Sequence, residues 1–349
     1  TLVDELLSGE GPELRVIVSA TTDTGFDRAR GLYGDRLEVV RFPLDFSASV
    51  SRFLDGVRPD VLVLMELELW PNLCAAAESR GIPLVVVNGR LSEGSFRNYR
   101  LIRRLVRPMF ASVEVAAVQT AVYGKRFQEL GVPPDRIRVT DNMKWDTASL
   151  ADRIDGAETL AREMGIDPSR PLLVAGSTGP GEEAFLLERC PDTVQLLVAP
   201  RRPERFDEVA ALDSTFIRRS SPSGAGPGGS GRFLLDTLGE LRKAYALADV
   251  VLIGRSFGTK GGSDPIEAVA LGRPTVIGPH YEHFAAVVEA LLEGDGIRVS
   301  DDPMAEALAL LEDPEAAARL GVKGREVVRA HRGASRENAR LVREVLSAR

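Results

Sequence analysis

The stretch from Val250 to Phe284 combines residue types that can hold an anion. It opens with an apolar run, Val250–Ile253, which predicts a buried strand. Glycines, which let a backbone turn tightly and approach a ligand closely, follow the run at Gly254, Gly258, Gly261 and Gly262.

The residues after these glycines predict the start of a helix. We expect Asp264 at the N-cap, Pro265 at the first helical position and Glu267 at the third, as in a capping box. The free N–H groups and positive dipole end of such a helix can bind a phosphate or a carboxylate. Because glycine turns and capping boxes are common in α/β domains, an anion site and a purely structural turn both remain open for this segment.

Further segments of the second half follow apolar runs with groups that suit an anion. GSTGPGEE supplies the hydroxyls of Ser177 and Thr178 together with backbone N–H groups, and PRRPERF supplies the planar guanidinium groups of Arg201 and Arg205. A third segment is DTLGEL, 236–241. The carboxyl ends of parallel strands share one edge of a sheet, where α/β proteins bind ligands. We therefore expect a nucleotide at this edge.

Composition excludes several classes of protein. The chain has 349 residues, 44% of them hydrophobic and 27% charged, which suits two globular domains and excludes a disordered or fibrous chain. A formal net charge of −7 argues against a general nucleic-acid binder. The basic segment 97–107 is either a solvated helix face, which we favour, or a contact for phosphates or anionic lipid.

The cysteine and histidine content excludes further kinds of site. Cys74 and Cys190 are the only cysteines, so we expect no disulfide framework, no zinc site and a reducing, cytosolic setting. The histidines are His280, His283 and His331, and no serine or cysteine stands in a nucleophile elbow. No run approaches the ~20 apolar residues that span a bilayer and no signal-peptide pattern is present, so we expect the sequence as given to be soluble.

Alternating apolar runs and helical patterns predict an α/β fold with parallel sheets. Strands are predicted in the first half at Leu14–Ser19, Leu37–Arg41, Val61–Met65, Pro83–Asn88 and Val115–Val118. Strands are predicted in the second half at Leu172–Ala175, Val194–Ala199, Phe216–Arg219, Phe233–Asp236, Val250–Ile253 and Thr275–Ile277.

The polar connector 146–170 predicts the boundary between two domains. We place the domains at residues 1–150 and 151–335, and we expect residues 336–349 to form a helix that returns to the first domain. The glycine- and proline-rich segment Ser221–Gly231 predicts a mobile loop inside the second domain.

Ordered motifs along most of the chain resemble those of the 3-deoxy-D-manno-octulosonic acid (Kdo) transferases of lipid A synthesis. In the first half they are TTDTG (21–25), FPLD (42–45), ELELWPN (66–72), NGRLSE (88–93) and NMKWD (142–146). In the second half they are GSTGPGEE, PRRPERF, DTLGEL, GGSDPIE and GPHYEHF.

This resemblance implies the fold and the reaction. The fold would be GT-B, with two Rossmann-like, doubly wound parallel-sheet domains facing across a cleft. The reaction would transfer Kdo from CMP-Kdo, with inversion, to a lipid A precursor at the inner face of the cytoplasmic membrane. The resemblance implies no cofactor and no bound metal.

The resemblance also implies which residues contact the donor. CMP would lie against Pro200, Arg201, Gly239, Glu240, Leu241, Asp264, Pro265, Ile266 and Glu267. Glu267 would bind the ribose hydroxyls, although the same carboxylate could cap its helix instead.

Three residues of the first half are implied near the reacting centre. Lys144 would stabilise the leaving phosphate or the sugar carboxylate, and its alternative is an ordinary surface lysine. Glu66 and Glu68 follow a predicted strand, and we expect alternation to point them to opposite faces, so that one enters the cleft. We favour Glu68. Trp70–Asn72 would shape this loop and cap the next helix.

The chain also departs from the family pattern. Members of the family carry a membrane-anchoring segment and then a strand ending in Ser-x-Gly-Glu, whose glutamate is taken as the general base, and we find neither here. Ser8-Gly9-Glu10 is a short linker, not a substitute. Either the sequence is incomplete and lacks its first strand, which we favour, or the homologue has lost its base. Other departures are Asp141, Arg202, Ser263, Asp264 and His283.

These departures leave three functions open. The first is the Kdo transferase. The second, prompted by Asp264 beside the expected phosphate, is a GT-B enzyme with another donor or a sugar-nucleotide epimerase. The third, prompted by the missing base, is a non-catalytic nucleotide-binding remnant.

Overall fold

The structure is a computed structural model that describes residues 2–9, 12–148, 150, 153–221, 229–258 and 261–348. Parts of several predictions fall outside these residues. They are 222–228 of the mobile loop at Ser221–Gly231, Glu10 of the linker Ser8–Glu10, 149 and 151–152 of the connector 146–170, and 259–260 of the stretch from Val250 to Phe284.

The chain divides into two compact units. The first contains Thr1–Thr147 and His331–Arg349, and the second contains Ala148–Ala330. The predicted domain ends at residues 150 and 335 differ from these divisions by a few residues.

The first unit is built on parallel strands. Its strands are β1 (Ile17–Ala20), β2 (Glu38–Arg41), β3 (Leu62–Met65), β4 (Leu84–Gly89), β5 (Val113–Val118) and β6 (Ile137–Val139). Its helices are α1 (Leu2–Ser8), α2 (Asp23–Tyr33), α3 (Ser47–Val57), α4 (Pro71–Ser79), α5 (Glu93–Leu101), α6 (Arg103–Ala111) and α7 (Ala121–Leu130), with 3-10 turns at Pro134–Arg136 and Met143–Asp146.

These strands form two sheets. One has the order β3-β4-β5-β6, while β1 and β2 pair only with each other among the described residues. Every residue of β4 is buried, as expected of the continuous apolar run of a parallel strand covered on both faces. Helices of the unit pack on one face around Phe110 and Phe127, which no solvent reaches.

The end of the chain covers the other face of the β3–β6 sheet. After the second unit the chain forms α16 (Ala334–Ser347), which contacts α1, β4 and β5. Val85 and Val87 of β4 pack there with Ala339 and Val342 of α16. The predicted last helix therefore lies on the first unit and completes its core.

The second unit has one parallel sheet. Its strands are β7 (Leu172–Thr178), β8 (Gln195–Pro200), β9 (Ile217–Arg218), β10 (Arg232–Leu234), β11 (Val250–Ile253), β12 (Thr275–Ile277) and β13 (Arg298–Val299). Its helices are α8 (Ala157–Met164), α9 (Glu182–Arg189), α10 (Phe206–Ala210), α11 (Leu241–Leu247), α12 (Ile266–Ala270), α13 (Ala285–Glu293), α14 (Pro303–Glu312) and α15 (Pro314–Ala330), with 3-10 turns at Pro203–Arg205 and Glu282–Phe284.

The strand order of this sheet is β13-β12-β11-β7-β8-β10-β9. The chain winds outward from β7 in one direction and then returns to build the other half from β11, so the sheet is doubly wound. The crevice between β7 and β11 is the point where the winding reverses, and ligands of such sheets bind at the carboxyl ends of strands there. Within the described residues, no helix is both long enough and apolar enough to cross a bilayer.

Candidate functional site

Backbone strain collects at the carboxyl ends of the strands in both units. Five residues other than glycine with positive φ lie within two residues of such an end: Glu66, Asn88, Asp141, Ser177 and Arg255. Residues other than glycine rarely adopt this backbone conformation, because it costs on the order of 1–3 kcal/mol per residue. Such residues occur most often at functional sites. The strain therefore favours a functional site at these strand ends in each unit.

In the second unit, the predicted anion cradle after β7 already holds an anion that belongs to the chain. The buried carboxylate of Glu182 accepts the N–H groups of Gly179 at 2.8 Å, Arg255 at 2.6 Å and Phe257 at 3.2 Å. These donors come from the loop after β7 and from the glycine-rich loop after β11. At this position the backbone N–H groups therefore bind Glu182 rather than a ligand.

The neighbouring carboxylate, Glu183, is also fully buried. It accepts the hydroxyl of Thr178 at 2.7 Å and pairs with both terminal nitrogens of Arg205, at 2.7 and 3.0 Å. The Arg205 side chain is only 9% exposed, and it also contacts Glu208. The structure thus gives Thr178 and Arg205 structural partners, not the open positions that we predicted for donor binding. Both residues fix the loop after β7.

Arg201 is different from Arg205. It is exposed, and its backbone N–H donates to the Thr178 carbonyl oxygen at 3.0 Å, which holds it beside the end of β7. Pro200, the last residue of β8, is buried. Among the described residues, no carboxylate pairs with the Arg201 guanidinium, so this cation is available to a ligand.

The start of α12 differs from the predicted capping box. The helix begins at Ile266 with Pro265 at the N-cap, so Glu267 falls at the second helical position and makes no cap bond. Asp264 does accept the N–H of Ile266, at 3.0 Å. The capping box is therefore wrong, because the helix starts later than predicted, but Asp264 still acts as a local cap.

Glu267 is exposed, yet its pKa is raised, first because the surrounding protein shields its carboxylate in part from water and second because the Asp264 carboxylate repels its charge. Among the described residues, no hydrogen bond of the Glu267 carboxylate compensates for either effect. Ser263, the other departure in this loop, is buried and donates its hydroxyl to the Ser177 carbonyl oxygen at 3.3 Å. The two strained loops are thus joined directly.

The predicted donor residues Gly239, Glu240 and Leu241 form the start of α11. Gly239 has a φ of 83°, Glu240 is the N-cap, and Leu241 is the first helical residue. The Glu240 carboxylate contacts Arg219, Thr237 and Lys243. These partners lower its pKa to about 2, so Glu240 is ionised and already paired.

Tyr245, also in α11, is a residue that the sequence analysis missed. It is buried, and its ring lies over Gly176 of β7. Glu267, Asp264 and Arg201 all act electrostatically on its hydroxyl. An aromatic residue within an apolar helix pattern predicts core packing, so no sequence signal distinguishes this position.

In the first unit, Glu66 and Glu68 follow β3 in an irregular turn and are both exposed. Our expectation that alternation separates them is wrong for two reasons. Residues two apart in a strand share a face, and the strand ends at Met65. Glu68 accepts the indole N–H of Trp70 at 2.8 Å, which orients its carboxylate.

The turn after β3 is held by a residue from the preceding connection. Both carboxylate oxygens of Asp45 accept the first N–H groups of α4, from Asn72 at 3.0 Å and Leu73 at 2.9 Å. Trp70 occupies the N-cap position and its side chain makes no cap bond. Asp45 therefore caps this helix in place of the predicted Trp70–Asn72. Sequence pattern could not predict this cap, because Asp45 lies far from the helix along the chain.

Lys144 lies in the 3-10 turn Met143–Asp146 beyond β6. The backbone of this turn is held at the end of β4, where the Asn88 side chain accepts the Met143 N–H at 3.0 Å. Glu66 donates its own N–H to the Val87 carbonyl oxygen of the same strand. The structure therefore brings the Lys144 segment and the Glu66 segment to the end of β4.

A second set of contacts fixes the Lys144 turn from α16. His331 pairs with Asp141 at 2.6 Å and stacks on Trp145, with ring centroids 5.0 Å apart. Asp146 accepts the N–H groups of Gly333 and Ser335 at the start of α16. Asp141, a departure from the family pattern, thus has a partner in His331.

Comparisons with known proteins agree with this architecture. Residues 1–147 match the family described as 3-deoxy-D-manno-octulosonic-acid transferase (kdotransferase). The 3-deoxy-D-manno-octulosonic acid transferase of Haemophilus influenzae is 34% identical over 348 residues, covering 94% of this chain and 79% of the relative. The transferase of the same name from Bordetella pertussis is 34% identical, covering 93% of this chain and 79% of the relative.

Solved structures show the fold over the whole chain. The UDP-GlcNAc 2-epimerase of Neisseria meningitidis, 14% identical, covers 100% of this chain and 95% of its own with a TM-score of 0.63. At that identity the likeness shows the GT-B fold alone. With the sequence relatives, it leads to one conclusion: this chain belongs to the 3-deoxy-D-manno-octulosonic acid transferases, a family of GT-B glycosyltransferases.

Proposed function

We propose that this chain transfers Kdo from CMP-Kdo, with inversion, to the lipid A precursor lipid IVA. The observation that carries the proposal is the state of Arg201, an exposed guanidinium without a carboxylate partner among the described residues, beside the carboxyl end of the central strand β7. A cation at that edge suits the phosphate of CMP.

Each remaining group takes a role that matches its surroundings. Glu267 binds the ribose hydroxyls, because its exposed carboxylate has no hydrogen-bond partner among the described residues and can accept from hydroxyl donors. Gly239 and Leu241 contact the nucleotide through the chain at the start of α11, while Glu240 keeps that start in place through its ion pairs.

On the acceptor side, we assign Lys144 to the charge of the leaving phosphate or of the sugar carboxylate. We assign Glu68, which the Trp70 indole orients, to the acceptor hydroxyl, with Glu66 beside it. The reaction as proposed uses no cofactor and no bound metal, because arginine and lysine neutralise the phosphate. Activity that persists in EDTA is the expected result.

Among the described residues of this site, Asp264 is the one that favours a different donor. A carboxylate beside a phosphate weakens binding of that phosphate, which would favour another sugar nucleotide. However, Asp264 accepts the Ile266 N–H at 3.0 Å, and this bond stabilises its carboxylate at the start of α12. The cytidine donor is therefore the one that we propose.

Thermal unfolding with nucleotides tests the donor. A ligand that binds only the folded chain raises the melting temperature as its concentration rises above Kd. CMP is expected to raise it, and UDP at equal concentration is expected to have little effect. Protection by UDP and not by CMP would favour a different donor, and binding of CMP without sugar transfer would favour a nucleotide-binding remnant.

We also propose that the chain works at the inner face of the cytoplasmic membrane, on the surface formed by α5 and α6. Leu101 is 85% exposed, Leu105 77% and Ile102 48%, which is unusual for neighbouring large apolar side chains. Exposed arginines surround them at Arg97, Arg100, Arg103, Arg104 and Arg107. Apolar side chains ringed by cations suit an anionic lipid surface.

Sedimentation with vesicles tests this surface. The chain is expected to bind vesicles that contain phosphatidylglycerol more tightly than vesicles of phosphatidylcholine, and L101E/L105E is expected to abolish the binding. L32E, at an exposed leucine of α2, is the matched control. Equal binding by L101E/L105E and the wild type would refute the proposed surface.

A further inference from the structure

Tyr245 of α11 is buried in the second unit against strand β7. Its side chain is 2% exposed, and it lies against the backbone of Gly176, four residues into β7. A Cβ atom at residue 176 would stand 2.0 Å from the Tyr245 hydroxyl oxygen and 2.5 Å from the ring carbon that bears it. Glycine is therefore required at 176 to make room for the phenol.

The hydroxyl end of this phenol has no partner of its own. Among the described residues, the structure gives it no hydrogen bond. The oxygen is not among the fully buried side-chain atoms that lack a partner in the described residues, so it reaches the surface, where a ligand can contact it. A phenylalanine would fill the space over Gly176 equally well, so packing alone does not account for the hydroxyl.

The charged groups that act on the hydroxyl are residues of the proposed donor site. Glu267 and Asp264 stand at the start of α12, and Arg201 follows β8. Burial and the two carboxylates raise the pKa of the phenol, while Arg201 opposes this effect. The hydroxyl consequently keeps its proton at neutral pH and can act as a donor. A ligand bound by Arg201 and Glu267 would bring oxygen atoms toward it.

We propose that the Tyr245 hydroxyl donates a hydrogen bond to an oxygen of the bound cytidine nucleotide. This inference rests on the proposed function, because it takes the nucleotide from there. It adds a binding residue from the middle of α11, whereas the predicted contacts of this segment lie at the start of the helix. Tyr245 is a binding residue in this account, not a group that takes part in bond breaking.

Isothermal titration of CMP into Y245F tests the inference. The substitution removes the hydroxyl and keeps the ring that fills the space over Gly176. A neutral hydrogen bond contributes about 0.5–1.5 kcal/mol, so we expect CMP to bind about 3- to 10-fold more weakly. The melting temperature without nucleotide is expected to stay unchanged, because the ring and its packing over Gly176 are kept.

Two comparisons keep the outcomes separate. Y99F removes a hydroxyl from the partly buried Tyr99 of the first unit and is expected to bind CMP as the wild type does. Cytidine locates the acceptor oxygen, since a loss with both ligands places the bond on the nucleoside and a loss with CMP alone places it on the phosphate. An unchanged Kd for CMP in Y245F overturns this inference alone. Failure of the wild type to bind CMP overturns the proposed function with it.

Discussion

The Glu182 carboxylate accepts the backbone N–H of Arg255 at 2.6 Å and so joins the loops that follow β7 and β11. Arg255 has a positive φ of 58°, a backbone conformation that residues other than glycine keep only when surrounding contacts enforce it. The bond therefore holds the crevice of the doubly wound sheet in one shape. A carboxylate is needed for this, because it accepts N–H groups at both oxygens.

We expect E182Q to loosen these loops. The amide keeps one acceptor oxygen and places an NH₂ group against a backbone N–H, which should cost about 1–3 kcal/mol of unfolding free energy. Urea unfolding measures this loss, and hydrogen exchange should show faster exchange at Arg255 and Phe257. E188Q, at an exposed glutamate of the same helix, is the control. Unchanged exchange at both loop residues would contradict the account.

The arginines of the segment after β8 should separate into binding and structural residues. R201M is expected to weaken CMP binding about 10- to 100-fold with little change in stability, since a charge-assisted bond to phosphate is worth roughly 1.5–3 kcal/mol. R202M, at the exposed neighbour, should leave the Kd unchanged. R205M should instead destabilise the fold by about 3–5 kcal/mol, because it leaves the Glu183 charge buried and unpaired. Titration calorimetry and urea unfolding distinguish the two kinds of effect.

Glu240 should support stability only above acidic pH. Its pKa is lowered from 4.5 to about 2 in the folded chain, so the folded state binds the proton less readily than the unfolded state. The contribution is present above pH 4.5 and is lost as the pH falls toward 2. E240Q is expected to lower the unfolding free energy by on the order of 2 kcal/mol at pH 7. The difference from wild type should shrink below pH 4.5, and a constant difference would argue against this ion-pair contribution.

Glu267 should have the opposite effect on stability at neutral pH. Its pKa is raised, so the folded chain favours the neutral form and the ionised carboxylate destabilises the fold at neutral pH. E267Q is expected to raise the melting temperature at pH 7, with the gain fading as the pH falls through the raised pKa and absent below the ordinary value of 4.5. The same substitution should weaken CMP binding if Glu267 holds the ribose. A variant that is both less stable at pH 7 and unchanged in CMP affinity would refute both assignments.

Lys144 is expected to act on the reaction rather than on the fold. K144M keeps the length of the side chain and removes its charge, so Kdo transfer should fall by at least about 100-fold if the cation stabilises the leaving phosphate. CMP affinity is expected to change less than transfer. K125M, at an exposed lysine of α7, serves as the control. Full transfer by K144M would leave Lys144 as an ordinary surface lysine.

Much of the fold follows from local sequence pattern. Val250–Ile253 and Thr275–Ile277 are strands with the predicted bounds, because short apolar runs between turn residues describe buried parallel strands well. β6 and β13 were missed. They have only three and two residues, lie at sheet edges and are partly solvent-exposed, so neither carries an apolar run to detect.

The site was less predictable because its contacts join distant positions. The glycine-rich loops predicted an anion site and left a structural turn open, and sequence alone could not show that Glu182 reaches the N–H of Arg255, 73 residues away. The Asp45 cap and the pairing of Asp141 with His331 have the same character. Arg201 and Arg205 are similar in sequence context, and only burial separates an available cation from a structural one.

The central claim is the proposal that this chain transfers Kdo from CMP-Kdo to lipid IVA. The most direct measurement incubates it with CMP-Kdo and lipid IVA and follows the lipid by mass spectrometry, with the release of CMP measured in parallel. The account predicts that lipid IVA gains Kdo as CMP appears, and that K144M shows neither. Unmodified lipid with intact CMP-Kdo, from wild-type protein that binds CMP, would contradict the claim and leave a nucleotide-binding protein without transferase activity.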